Sequence, residues 1–183
     1  MTDHIPIHPA GPFTRDPDAD AGRHVTWIAE LAALPAELRA AAAGLSDAHL
    51  DVPYRPGAWT GRQIIHHVAD SHMNCYIRCK WTLTESEPLI KAYDETSWAN
   101  LPDSREGPID AILDLLDALH RAWTDLLRRL EPEDWMRRFR HPETGDEPTL
   151  HEAMEYYVWH GRHHCGQILS IRRRAGLPTT DRP

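Results

Sequence analysis

Basic residues are scarce in this chain, and long apolar runs are absent from it. Lys and Arg number 20 against 28 Asp and Glu, a formal net charge of −8. A general nucleic-acid-binding protein needs a basic face, so this balance argues against that class. No stretch approaches the ~18 consecutive apolar residues of a membrane-spanning helix, so we expect no membrane partner either.

Cysteine is also sparse. The 183 residues contain 3 cysteines, which cannot all pair with one another, so no secreted disulfide framework is indicated. The first residues lack the basic and apolar regions of a signal peptide. We therefore expect a cytoplasmic protein. The length fits one domain, spanning residues 1–183, with a substantial core.

Proline is absent from three long windows of a chain that otherwise has many prolines. Because proline breaks helix interiors, these windows are natural positions for long helices. The windows are 57–87, 109–131 and 149–177. Capping-box patterns at Thr60 and Thr149 predict helices over 60–85 and 149–175.

Two further helices follow from apolar spacing. Residues 108–130 carry an apolar stripe of period 3.6, with Pro108 at a favoured first-turn position. Residues 23–43 have a similar pattern, with Pro35 as a kink or an internal break. No segment alternates as a strand does. We predict an all-α four-helix bundle, with residues 1–16 as an irregular arm.

The connection formed by residues 86–107 is long enough to run the length of a helix. The helices before and after it are therefore expected to lie parallel, with one crossover, rather than in a simple up-and-down arrangement.

Histidine is abundant, with 13 residues, which favours metal chemistry. His160 and His164 are four residues apart and so share one face of the predicted helix. At 100° per residue that face is the apolar one, directed into the bundle. Two inward imidazoles are costly unless they bind a metal or form hydrogen bonds, and we favour the metal. Gly161 replaces the glutamate of an HExxH motif, which excludes the zincin arrangement.

A third ligand is expected from another helix. His67 lies on the flank of the apolar sector of its helix, on a polar stripe continued by Ser71, Asn74 and Arg78. Such a stripe beside an apolar face is typical of the wall of a wet pocket. His67 is therefore a candidate ligand.

Other residues compete with His67. His72 lies within the apolar sector and His120 on an apolar face of the third helix, so the residues alone leave the third ligand open. His66 points away from the apolar sector and is expected to be solvated. Cys75 and Cys79 share a face, but buried packing is the favoured interpretation for both.

Six segments together resemble the YfiT-type metal-dependent hydrolases of the DinB-like superfamily: 54–60, 66–74, 101–104, 116–120, 141–143 and 159–164. The resemblance covers nearly all of the chain after about residue 20. It implies a four-helix bundle with a crossover, a homodimer, and one divalent metal ion per subunit, zinc or nickel. Carried over by motif, the metal ligands are His67, His160 and His164.

The implied site supports three functional hypotheses. Three neutral histidines leave open positions on the metal, as in catalytic sites. The first hypothesis is hydrolysis of a small molecule by metal-activated water, with Asp70, Glu143 or His163 as the acid or base. The second is S-transfer, since some relatives resemble transferases that use a low-molecular-weight thiol such as bacillithiol, and Arg78 would bind its carboxylates. The third is a non-catalytic metal-dependent binding or sensing module.

Overall fold

Four long helices pack as a bundle in the computed structural model, which describes residues 6–179. The long helices are α1 (Arg23–Ala42), α3 (Gly61–Thr84), α6 (Ile109–Leu127) and α8 (Leu150–Arg174). The short helices in the connections are α2 (Asp47–Leu50), α4 (Glu95–Ala99), α5 (Pro102–Glu106) and α7 (Pro132–Trp135). Residues 6–179 contain isolated β-bridges but no strand, so the predicted all-α four-helix bundle is confirmed.

Helices α3 and α8 begin at the predicted residues. The Thr60 hydroxyl accepts from the backbone N–H of Gln63 at 3.2 Å, while Gln63 Oε1 accepts from the Thr60 N–H at 3.0 Å. Thr149 and Glu152 form the same reciprocal pair at the start of α8. These bonds satisfy backbone donors that the first helical turn leaves unpaired.

Two details of the proline positions differ from the sequence prediction. Pro108 is the residue before the first turn of α6 and not within it, and α6 ends at Leu127. Helix α1 continues through Pro35, so an internal break there was wrong. Pro35 has no N–H to donate to the carbonyl of Leu31, one turn earlier. The helix continues because His120 Nδ1 lies 2.5 Å from that oxygen and satisfies it.

The long connection between α3 and α6 produces the predicted parallel pair. Arg62, at the start of α3, donates to the carbonyl of Gly107 just before α6, at 2.7 Å. The starts of α1 and α8 also meet, where His24 and His151 hydrogen-bond at 2.8 Å. Each of α1 and α3 packs against both α6 and α8. The connection itself contains α4 and α5, which pack against α3.

The arm before α1 runs along α8. Trp159 Nε1 donates to the carbonyl of Gly11 at 2.9 Å, and the ring of Phe13 meets Tyr156 edge-on at 5.3 Å. A Cβ at Gly166 would lie 2.6 Å from Pro9, so the arm makes close contact there. Residues 1–5 of the predicted arm lie outside the described residues. In the range that is described, the helices are too short or too polar to cross a membrane.

The capping of α3 makes a stability prediction. Thr60→Ala removes the hydroxyl acceptor and should lower the free energy of unfolding by about 1 kcal/mol. Thr60→Ser keeps the acceptor and should change it by only a few tenths of that. Urea unfolding followed by circular dichroism measures both variants. Equal losses in the two would contradict the capping role.

Candidate metal centre

Three histidine side chains from two helices converge in the middle of the bundle. The Nε2 atom of His160 lies 3.2 Å from that of His67 and 3.1 Å from that of His164. Each of the three side chains offers a nitrogen within 4.8 Å of the others, and all three are buried. Among the described residues, no other group of three or more metal-binding side chains is this compact.

The three imidazoles are held in the neutral form that a metal requires. Burial lowers the pKa values of His160 and His164 well below the ordinary value. Burial, with a smaller effect of His163, lowers the pKa of His67 to about 4. His164 Nδ1 lies 2.8 Å from the amide oxygen of Gln167 and donates to it. The Nε2 atom of neutral His164 therefore faces His160 Nε2 with a bare lone pair.

The two separations measured from His160 Nε2 fit bonds to one ion. Zinc–nitrogen bonds of about 2.0–2.1 Å place two ligands about 2.9 Å apart at a right angle and about 3.4 Å apart at a tetrahedral angle. The separations of 3.1 and 3.2 Å lie between these limits. Imidazole nitrogen suits zinc and nickel alike. The residues present thus fit a divalent metal.

A cavity of about 510 Å³ opens beside the three histidines. Aromatic and polar side chains line it together with the histidines. They include Trp59, Ser71, Arg78, Glu95, His141, Tyr156, Tyr157, Trp159 and His163. The three imidazoles therefore face a space that a small molecule can enter.

Arg78 and Glu95 bring opposite charges to the cavity wall. Arg78 is 9% exposed, and its Nε atom has no hydrogen-bond partner. Its Nη2 atom donates weakly to the carbonyl of Lys91 at 3.4 Å. Desolvation raises the pKa of Glu95, and the nearby Arg78 lowers it. The sequence prediction missed Glu95 because it lies in the connection 86–107, where the Asp94 cap of α4 is its only local signal.

The three predicted acid–base candidates lie in different places. His163 lines the cavity, stacked on Trp159 with ring centres 5.1 Å apart. Its Nε2 atom accepts from the amide of Gln167 at 2.9 Å, so Gln167 connects it to His164. Asp70 is half-buried, and burial with the nearby Asp103 raises its pKa to about 6, but it does not line the cavity.

Glu143, the third candidate, is exposed on the loop that follows His141. It does not line the cavity, although it affects the pKa values of His141 and Glu95 electrostatically. Of the three candidates, only His163 is part of the cavity wall.

The remaining histidines and cysteines considered in the sequence analysis are buried. His66, expected to be solvated, is 5% exposed. Helices α4 and α5 pack on α3 and cover the face that the helical wheel assigned to solvent. Cys75 and Cys79 are buried in the apolar core, as predicted. His72 and His120 are buried behind His160 and lie outside the three-histidine group.

Gly161 has a packing role. A Cβ atom at this position would lie 2.6 Å from Cδ2 of Leu34 on α1. Any larger residue at this position would require the Leu34 side chain to move, so glycine permits the close approach of α1 and α8.

The fold and this site define a helical-bundle protein with a three-histidine candidate metal centre. The chain belongs to the DinB superfamily, whose sequence model matches residues 30–168. It is 50% identical to a protein of Bacillus cereus and to one of Bacillus thuringiensis, each named "Putative metal-dependent hydrolase". Both alignments span 167 residues, or 91% of this chain and 95% of the relative.

A solved structure is also similar. YfiT from Bacillus subtilis, described as "a probable metal-dependent hydrolase with an unusual four-helix bundle topology", matches with a TM-score of 0.90 at 43% identity. The match covers 93% of this chain and 98% of YfiT.

The buried neutral histidines predict a pH-dependent stability of the metal-free protein. Their ordinary pKa is 6.5, and in the folded state those of His67, His120 and His163 are about 4. As the pH falls from about 6.5 to 5, these histidines bind protons in the unfolded chain but stay neutral in the folded chain. The free energy of unfolding should therefore fall, by up to about 1.4 kcal/mol per pH unit for each such histidine.

Asp70 and Glu95 oppose this trend because their pKa values are raised, but the histidines outnumber them. Urea unfolding of chelator-treated protein at several pH values measures the slope. His67→Gln should reduce the slope. Stability that stays constant over this pH range would contradict the neutral state of the cluster.

Proposed function

We propose that this protein is a metal-dependent hydrolase that holds one divalent ion, zinc or nickel, between His67, His160 and His164. The convergence of three buried, neutral Nε2 atoms beside an open cavity is the observation that carries the proposal. The names of the relatives agree with it.

The metal, when bound, would lower the pKa of a water molecule and polarise a substrate oxygen. The chain supplies the remaining functions. Neutral ligands leave the charge of the ion uncancelled, and three of them leave room for water and substrate. Trp159 and Tyr156 form an aromatic wall that excludes water from one side of the substrate.

Glu95 is the residue we propose for proton transfer. It lines the same cavity as the histidines, and its raised pKa brings it closer to the range of an effective acid or base. His163 is less suited, because its Nε2 atom already accepts from Gln167.

Arg78 indicates the class of substrate. Its guanidinium is buried in the cavity wall, and no carboxylate within residues 6–179 forms an ion pair with it. A buried guanidinium with one weak backbone hydrogen bond and no ion pair is incompletely compensated, and a carboxylate or similar anion of the substrate would supply the missing partner. We propose that the substrate carries an acidic group.

Metal binding tests the proposed ligands. Calorimetric titration of chelator-treated protein with zinc chloride should show one site per chain. The variants His67→Gln, His160→Gln and His164→Gln should each lose at least about tenfold in affinity, because each removes a ligand. His141→Gln is the control, since His141 lines the same cavity outside the three-histidine group. Equal affinity in all four variants would contradict the assignment.

A pair of chromogenic esters tests the substrate class. The metal-loaded protein should hydrolyse the mono-p-nitrophenyl ester of glutaric acid in preference to p-nitrophenyl valerate. Arg78→Met should raise KM for the acidic ester about 10- to 100-fold, the worth of a hydrogen bond to a charged group, and leave the neutral ester unaffected.

Equal effects of Arg78→Met on both esters would remove the anion-binding role. Turnover that requires an added low-molecular-weight thiol would contradict hydrolysis and favour S-transfer. Tight zinc binding without turnover of either ester would favour a binding or sensing module.

A further inference from the structure

A line of hydrogen-bonded histidines connects the proposed metal ligand His160 to helix α1. His160 Nδ1 lies 3.1 Å from His72 Nε2, and His72 Nδ1 lies 3.0 Å from His120 Nε2. His120 Nδ1 lies 2.5 Å from the carbonyl oxygen of Leu31. The line thus joins α8, α3, α6 and α1 through the centre of the bundle.

The contact with the Leu31 carbonyl determines which nitrogen donates and which accepts in each hydrogen bond of the line. A backbone carbonyl only accepts, so the proton of neutral His120 must be on Nδ1. This carbonyl is available because the residue one turn later is Pro35, which has no N–H to donate to it. In a helix with any other residue at position 35, Leu31 would already have a backbone donor.

The proton position of each ring then follows from that of its neighbour. A neutral imidazole has one donor and one acceptor nitrogen. His120 Nε2 therefore accepts, so His72 donates from Nδ1. His72 Nε2 in turn accepts, so His160 donates from Nδ1. The Nε2 atom of His160 is left with a bare lone pair, directed toward His67 and His164.

The same contact opposes the other direction, in which His160 Nε2 would donate to His67 or His164. If His160 carried its proton on Nε2, each ring in turn would shift its proton to Nε2. His120 Nδ1 would then face the Leu31 oxygen as a second acceptor at 2.5 Å. Leaving that buried carbonyl unpaired would cost stability, and the repulsion between the two acceptors would add to this cost.

We propose that His120 and His72 are positioning residues that hold the proton of His160 on Nδ1, anchored at the Leu31 carbonyl that Pro35 leaves free. They thereby keep His160 Nε2 bare and directed at the metal position. The inference rests on the proposed function only in treating His160 as a ligand. His120 is the informative member, because it hydrogen-bonds to His72 and Leu31 and to none of the proposed ligands.

The rings have little freedom to rearrange. His72 is 0% exposed and His120 1% exposed. The ring of Trp123 meets both of them edge-on, at 5.8 and 5.6 Å between centres. Tyr157 also packs edge-on against His72 at 5.3 Å and contacts Trp123 at 6.0 Å. These contacts keep the hydrogen-bonding nitrogens in line.

The test uses His120→Leu, with His66→Leu as the matched control. His66 is also a buried histidine, 5% exposed, and it takes no part in the line. Nitrogen-15 NMR of the histidine rings in chelator-treated protein reports which nitrogen carries each proton. The wild type and His66→Leu should show His160 protonated on Nδ1. In His120→Leu, His72 loses its acceptor and turns its proton toward His160, which should then be protonated on Nε2.

Zinc affinity gives the second measurement. His120→Leu should bind zinc about 10- to 100-fold more weakly than the wild type, the usual effect of removing a residue that orients a ligand. His66→Leu should bind as the wild type does. A folded His120→Leu protein with the wild-type proton position and affinity would overturn the proposal. So would an Nε2 proton on His160 in the wild type, a result that does not depend on any variant folding.

The two proposals fail separately. Absence of zinc binding by a wild type that shows the expected proton on Nδ1 would remove the metal centre and leave the histidine line intact. Zinc binding that depends on His160 but is unaffected in His120→Leu would support the metal centre and remove the positioning role of His120.

Discussion

The bundle depends on satisfying a layer of buried imidazoles in the middle of its core. Apolar side chains form two separate clusters, one containing Trp27 and Trp123 and the other containing Leu38 and Leu116. The histidines occupy the level between these clusters on α3, α6 and α8: His67, His72, His120, His160 and His164. Burying these imidazoles without hydrogen-bond partners would cost too much free energy for the fold to be stable. The hydrogen bonds of the layer therefore constrain the positions of all four long helices.

This constraint fixes how the helices are aligned along their axes. A shift of one helical turn between α3 and α6 would break the hydrogen bond between His72 and His120 and leave one nitrogen of each ring unpaired inside the core. Apolar contacts alone tolerate such shifts better, because one leucine substitutes for another. Buried polar groups specify register in the same way in coiled coils, at some cost in stability. The layer therefore selects one alignment of the bundle and also brings together the three histidines of the candidate metal centre.

The sequence predicted those features that depend on neighbouring residues. The starts of α3 and α8 were predictable because each capping pair lies within four residues. Helical periodicity likewise predicted that His160 and His164 face the core. The burial of His66 could not be predicted from neighbouring residues, because it depends on how the connection 86–107 folds back over α3. Helical wheels also left the third member of the histidine group open, since a wheel shows only rotation about the helix axis and both His67 and His72 lie on or beside the apolar sector of α3. The continuity of α1 through Pro35 was unpredictable for a similar reason, because His120, which pairs with the Leu31 carbonyl, lies in another helix.

The separation of His67 and His160 along the chain, 93 residues, affects how the protein folds. Contacts between residues this far apart in sequence slow folding, because the chain between them must close before the contact stabilises the fold. A ligand that binds only the completed arrangement stabilises it by mass action. Metal availability would then act on how much of the protein is folded in the cell, in addition to any effect on turnover, and a shortage of metal would expose the chain to proteolysis.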